Sequence, residues 1–414
     1  MTAATQAPAI DPARLLGRID ELAAIGATEG GGCARLALTE EDRRGRDRVT
    51  GWMRDLGLEV RIDAIGNIFG LTEGWRERRP VLTGSHIDTV RTGGRYDGNY
   101  GVIAGLEAIA ALRAAGRRPA RPLGVGVFTN EEGSRFQPDM MGSLVHAGGL
   151  DLADAHAACD RDGVSVGTAL RSIGYLGDDP PGFVTPHAFV ELHIEQGPVL
   201  DAEGITIGAV EDLQGISWQE VTVAGQSNHA GTTPMRLRRD AGYVAGAATA
   251  FLHDLAEDMG GAQVCTVGRI DLHPNYINVI PARATFTADL RNTDAAKLRE
   301  AEERFAAFLG AIAARTGTSI ERRRLARFEP VVFDPRLVAM IADEAKRMGL
   351  AARRMTSGAG HDAQMMARIC PSAMIFVPSV AGISHNPAEH TAPADLVAGA
   401  ALLLKVLTAL ADEA

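Results

Sequence analysis

Cysteine is scarce. The 414 residues hold four, Cys33, Cys159, Cys265 and Cys370, far apart and with no CxxC pair. That excludes a disulfide framework as the source of stability and fits a reducing, cytoplasmic setting. An excess of positive charge is also missing: net charge is −10 and the pI about 5.6, which argues against a nucleic-acid partner. Basic residues do cluster at "RLRRDAG" and "IERRRLARFE", short stretches that contain or adjoin acids and read as solvated faces. No apolar run approaches the ~18 uncharged residues of a membrane span, so no membrane partner is expected. The opening "MTAATQAPAIDPARLL" lacks a basic segment followed by an apolar one and reads as a short flexible lead into a helix, not a signal peptide. Neither a repeat of solenoid period nor a low-complexity tract is found. Serine and cysteine hydrolase chemistry lacks support, because no GxSxG elbow occurs and no cysteine lies in a polar, motif-like setting.

What remains is a globular composition, 46% apolar and 23% charged. Helical periodicity marks 11–25, 39–56, 100–115, 240–258, 294–315, 334–348 and 393–412. Thr39 with Asp42 resembles a capping box. Strand-like runs include "LEVRIDAIGNIFG", "PVLTGS", "PLGVGVFTN", "AFVELHIEQG", "QEVTVAG", "RATFTADLRN" and "SAMIFVP". Their alternation with helices predicts an α/β fold, a mixed sheet covered by helices. Near residue 210 the character changes to polar-alternating strands with two helices. We therefore expect a catalytic domain split in sequence, 1–212 and 328–414, around an inserted α+β lid or dimerisation domain, 213–327.

Chemistry concentrates where apolar runs end. "GSHIDTVRTGGRYDG" places His86, Asp88 and Asp97 around a Gly-Gly turn, the donor types a divalent transition metal takes. "VGVFTNEEGSRF" ends an apolar run at Phe128 with Glu131 and Glu132 just beyond; a lone Glu-Glu is more often an exposed acidic turn. In "AFVELHIEQG", Val190, Leu192 and Ile194 alternate with Glu191, His193 and Glu195, giving one apolar and one polar face. "GISHNPAEHT" puts His385 and His390 on a late loop. Taken in order, these supply a ligand set for two metals, which need a bridging carboxylate and terminal ligands. Asp97 would bridge, His86 and His193 would serve one metal, and Glu132 and His385 the other. Asp88 would hold the His86 imidazole by a hydrogen bond, and Glu131 would be the general base. Zinc, manganese, cobalt or nickel suits such mixed donors.

Quoted together, "GSHIDTVRTGGRYDG", "TNEEGSRF", "ELHIEQGPVLD", "GQSNHAGTTPMRLRRDA", "NVIPARATFTADLRN", "GAGHDAQ" and "GISHNPAEHT" resemble the hydantoinase/carbamoylase amidases, the ureido branch of the binuclear-metal M20-type peptidases. The matches run in order from about 84 to 391. The resemblance implies the ligand roles above, Glu131 as base, and a homodimer formed through the inserted domain. It further implies substrate-binding roles for Gln196, Asn278 and Arg291, and a catalytic His229 that polarises the scissile carbonyl in a neighbouring active site. Arg291 shares the polar face of its strand with Arg283, Thr285, Thr287 and Asp289, so a surface salt bridge to Asp289 is the competing reading. For His229 the competing reading is a loop histidine capping the next segment. His361 of "GAGHDAQ" is read as structural or as supporting the ligands. The activity expected is hydrolysis of the ureido C–N bond of an N-carbamoyl-L-amino acid by metal-activated water, with a substrate that carries a carboxylate. Allantoate hydrolysis is the alternative. A metallo-dipeptidase or aminopeptidase is disfavoured, since those branches resemble this one with a carboxylate in place of His193. A non-catalytic binding protein on the same scaffold is a third class; it would lack Glu131 or a ligand, and none is lost.

Overall fold

The helical periodicities all become helices: Pro12–Ala23, Glu40–Asp55, Asn99–Ala114, Ala241–Met259, Ala295–Thr316, Pro335–Arg347 and Pro393–Ala411. Their starts are chemically marked. Asp11, Thr39, Asp240, Asp294 and Asp334 each accept a first-turn N–H, which satisfies donors the helix itself cannot. This computed structural model describes residues 7–413, so Met1–Gln6 of the opening lead lie outside the described residues.

In chain order the strands are β1 Glu59–Ile62, β2 Ile68–Leu71, β3 Val81–His86, β4 Leu123–Phe128, β5 Ala188–Ile194 and β6 Ile207–Leu213. Then come β7 Gly215–Ala224, β8 Val264–Thr266, β9 Ile270–His273, β10 Arg283–Asn292 and β11 Ser319–Phe328. Last are β12 Val331–Val332, β13 Ala352–Ser357 and β14 Ser372–Val377. The run "LEVRIDAIGNIFG" is therefore two strands rather than one. Asp63 turns the chain between them by accepting the N–H groups of Ile65 and Asn67, a local bond that competes with strand extension.

The described chain divides into two compact units. One comprises the residues up to Glu211 and from Val332 onward; the other is Asp212–Val331. The first is built on a nine-stranded sheet in the order β1-β2-β4-β3-β5-β14-β6-β12, with β13 also on β6. It is mixed: β4, β3, β5 and β14 run parallel, while β2 pairs β4 and β6 pairs β14 antiparallel. Every residue of β3, β4, β5 and β14 is buried, the mark of strands covered on both faces. The polar face of β5 is thus inside the protein. Helix Pro393–Ala411 is apolar and long enough for a membrane span by composition, yet Leu396, Leu402, Leu403 and Leu407 are buried and it packs on β5 and β14.

The second unit is an antiparallel sheet, β11-β7-β10-β8 with β9 also on β10. Ala284, Phe286, Ala288 and Leu290 point into a core with Val244, Leu252, Phe305 and Leu309 from its two long helices. The alternate residues of β10, including Asp289 and Arg291, are not buried.

Candidate metal centre

Parallel strands deliver the donors at their carboxyl ends, where a ligand can sit outside the sheet. His86 is the last residue of β3 and His193 lies one residue before the end of β5. Glu131 and Glu132 follow β4, and His385 follows β14. Asp97 sits on the loop after β3, just before helix Asn99–Ala114. Gly98 after it has φ 64°, and a Cβ there would lie 2.5 Å from the His86 ring, so only glycine lets the chain pass the imidazole.

The two oxygens of Asp97 face different partners. Oδ1 lies 3.6 Å from His86 Nε2 and 3.2 Å from His193 Nε2. Oδ2 lies 3.3 Å from His385 Nε2, which is itself 3.4 Å from Glu132 Oε2. His86, Asp97 and His193 form one group whose donor atoms converge, and Asp97, Glu132 and His385 another. Ligand atoms about 2.1 Å from a tetrahedral cation stand about 3.4 Å apart, so these spacings suit a metal. The tautomers suit it too. His86 Nδ1 meets the Asp88 carbonyl and His193 Nδ1 the Ile194 carbonyl, each at 2.8 Å. A carbonyl only accepts, so each Nδ1 carries a proton, and Nε2 is the atom each ring turns toward Asp97 and would offer to a cation.

Asp88 does hydrogen-bond the His86 imidazole. It holds His86 through its main-chain carbonyl; its carboxylate instead accepts the N–H groups of Glu131 and Glu132, both at 3.3 Å. An anion gains more from two amide donors than from one neutral imidazole. The Glu-Glu turn is thereby fixed and is no exposed acidic turn: Glu131 is 7% exposed, and its Oε2 lies 3.4 Å from His86 Nε2. Glu132 is held at one oxygen by Val90 N–H, leaving the other toward His385. Gln196, φ 57°, donates its amide to Asp97 Oδ2 at 2.8 Å.

Crowding carboxyl groups and imidazoles together, in a space that is buried except at the half-exposed His385, moves their protons. Burial, then the charge of Asp97, pushes Glu132 up to about 8. Burial likewise raises Glu131 well above the usual carboxyl range, with Asp362 and Glu132 adding to it. The hydrogen bond to Asp97 carries His385 up to about 9. Asp97 resists its own burial and stays well below the carboxyl range because His193, His385 and His86 all point at it.

Two residues not read as ligands, Glu191 and His361, join His193. Glu191, His193 and His361 form a third convergent group, and the His361 ring stands 4.5 Å from that of His193. Glu191 is already committed, to the Ser85 hydroxyl at 2.6 Å and Ala363 N–H at 2.7 Å. The spacing of Glu191 and His193 along one strand face was a signal for this, and the motif "GAGHDAQ" marks His361 as structural or as supporting the ligands.

The other expected substrate residues lie in the second unit. His229 Nδ1 accepts N–H from Gly231 at 3.0 Å and Thr232 at 3.2 Å, so it does cap its loop. The same bonds leave the proton on Nε2. Asn278, exposed, lies on an adjoining segment: its carbonyl accepts Ala230 N–H, and His229 bridges to Val279. Arg291 is paired with Asp289 at 2.9 Å, with its guanidinium 6.0 Å from the Trp218 ring.

Imidazoles and carboxylates so divided around one shared aspartate, with a buried glutamic acid alongside, make a hydrolase centre able to hold a pair of divalent cations. The sequence pattern of the peptidase family M20/M25/M40 matches residues 82–409. The chain is 38% identical over 400 residues to an N-carbamoyl-L-amino-acid amidohydrolase of Rhizobium meliloti, covering 96% of each. It is 40% identical over 395 residues to an allantoate amidohydrolase of Escherichia coli K12, covering 94% of this chain and 96% of that one. The crystal structure of a hydantoinase/carbamoylase family amidase from Burkholderia multivorans superposes with a TM-score of 0.93 at 43% identity, over 99% of this chain and 100% of that one. The chain belongs to the M20/M25/M40 peptidase family and, within it, to the hydantoinase/carbamoylase amidases.

Proposed function

We propose that this amidohydrolase cleaves the ureido C–N bond of an N-carbamoyl-L-amino acid, releasing the amino acid, carbon dioxide and ammonia. The observation that carries the reading is Asp97 with its two oxygens divided between His86/His193 and His385/Glu132. A pair of divalent cations held there would supply an acidified water and a polarised carbonyl. Zinc comes first among them; manganese, cobalt and nickel also suit the donors. Glu131 takes the proton of the attacking water and returns one to the leaving nitrogen, a task suited to a carboxylate whose proton affinity burial has raised. His229 of a second copy donates Nε2–H to the carbonyl oxygen, so the working form is a homodimer joined through the inserted segment, which acts as lid and dimerisation domain. Arg291 and Asn278 take the substrate carboxylate, with Arg291 exchanging Asp289 for it. Gln196 orients the ureido group from its place on Asp97. With all cysteines free, we place the enzyme in the cytoplasm.

Allantoate hydrolysis is the second reading, favoured by the relative at 40% identity. The test is turnover by metal-reconstituted enzyme on N-carbamoyl amino acids, allantoate, ureidopropionate, dipeptides, and carboxamide analogues of the ureido acids. We expect ureido acids to be cleaved and dipeptides not. Loss of the guanidinium bonds, about 1.5–3 kcal/mol, should cost the carboxamides one to two powers of ten in kcat/KM. Faster dipeptide cleavage, or carboxamides handled as well as acids, overturns the substrate class.

A further inference from the structure

After β14 the chain carries a buried carboxylate that the reaction outlined above does not use. Glu389 is 5% exposed. Its Oε1 accepts the main-chain N–H of Tyr96 at 3.1 Å and of Asp97 at 3.3 Å. Its Oε2 accepts the Ser384 hydroxyl at 2.8 Å. One side chain thus joins the loop that presents Asp97 to the loop that presents His385. A second tie runs beside it, from the Thr92 hydroxyl to the His385 carbonyl at 3.2 Å.

Two backbone facts show that this junction is built for a purpose. A Cβ on Gly94 would lie 2.1 Å from Glu389 Oε1 and 2.5 Å from its Cβ, so the carboxylate reaches those amides only because residue 94 has no side chain. Gly94 is not among the glycines of positive φ, so space, not conformation, demands glycine here. His385, by contrast, is a non-glycine residue held at φ 53°, a conformation that costs about 1 kcal/mol or more and persists only where neighbours impose it.

We propose that Glu389 is a positioning residue for the cation pair: it sets Asp97 against His385 by hydrogen-bond geometry, not by its charge. The inference rests on the reading of Asp97 and His385 as cation ligands. Charge is the wrong explanation, because a second carboxylate beside Asp97 repels it. Geometry is the right one: ligand atoms must all come within about 2.0–2.3 Å of an ion, and Asp97 and His385 lie on loops nearly 300 residues apart in sequence that nothing local aligns. Glutamine could keep the arrangement. Its Oε1 would accept both amides and its Nε2 would donate to the Ser384 oxygen.

The experiment measures Zn²⁺ affinity and stoichiometry by competition with a chromophoric chelator, on the full chain, with thermal unfolding of each metal-stripped variant as a fold control. Glu389→Ala removes the carboxylate, Gly94→Ala displaces it with its charge intact, and Glu389→Gln removes only the charge. We expect wild type to hold two equivalents. Glu389→Ala and Gly94→Ala should bind about 10–100-fold more weakly, while Glu389→Gln stays near wild type. Wild-type affinity in Gly94→Ala or in folded Glu389→Ala overturns the proposal. So does a Gln variant as weak as Ala, since charge would then be the operative property. A wild type that holds no Zn²⁺ overturns the ligand reading itself, a distinct result. If Glu389→Ala does not fold, the Gly94→Ala and Glu389→Gln arms decide the matter.

Discussion

Adjacent glutamates with different neighbours should have different work. Glu131 Oε2 faces His86, whereas Glu132 is anchored by Val90 N–H and faces His385. Glu131→Gln should fold and bind metal but lose turnover by about 10²–10⁴-fold, because an amide cannot take the proton. Glu132→Gln should lower metal affinity first. Near-normal turnover in Glu131→Gln would remove it from the chemistry. Protons compete with the cations at this scale. With Glu132 near 8 and His385 near 9, both hold protons at neutral pH that a cation must displace. Apparent affinity should therefore rise as pH increases through that range and fall below it, with protons released on binding at pH 7. Titration calorimetry in buffers of different ionisation heat reads that release; a heat independent of buffer contradicts it.

Strands matter here through how closely they approach. In the β3–β4 pair, Gly84 lies opposite Gly126, and a Cβ at residue 84 would stand 2.1 Å from the Gly126 carbonyl oxygen. The strand that ends in His86 can lie flat on the strand that leads to Glu131 only if that position is bare. Gly84→Ala should cost about 1–3 kcal/mol, the range for inserting a methyl group into a packed interior. Because the strain falls two residues before His86, it should weaken metal binding as well. Urea denaturation and zinc titration check both; an unchanged unfolding midpoint would show that the sheet yields there easily. On the far side of β3, Ser85 donates to Glu191 of β5, tying the two histidine-bearing strands together.

At the level of the whole molecule the candidate residues are divided by unit. Among the described residues the convergent donor groups all belong to the unit built on the mixed sheet, while His229, Asn278 and Arg291 belong to Asp212–Val331. The second unit has its own apolar core around Phe286 and Phe305, as an insertion must if it is to fold without borrowing one. The homodimer proposal makes a sharp prediction here. Mixing inactive His229→Ala with inactive Glu131→Gln should restore part of the activity, since in a mixed dimer one site carries both defects and the other neither. No recovery after verified subunit exchange, or an active monomer, would count against His229 acting in a second copy.

Periodicity and end signals were legible because they are local: an amphipathic stripe or an Asp before a helix records burial and bonding within a few residues. For the same reason the sequence placed the donors at strand ends and, through motifs spanning about 84 to 391, pointed to the family. It could not show that "LEVRIDAIGNIFG" folds back on itself, because a side-chain bond from Asp63 decided that against an apolar pattern favouring one strand. Nor could it orient the Asp88 carboxylate or bring Glu389 beneath Asp97. Those outcomes depend on strand order, β4-β3-β5-β14, which brings residues from opposite ends of the chain within a hydrogen bond of one another. Residue types and their spacing determined which donors this protein has; only the sheet decided which oxygen of Asp97 faces which histidine, because that choice is made by contacts distant in sequence.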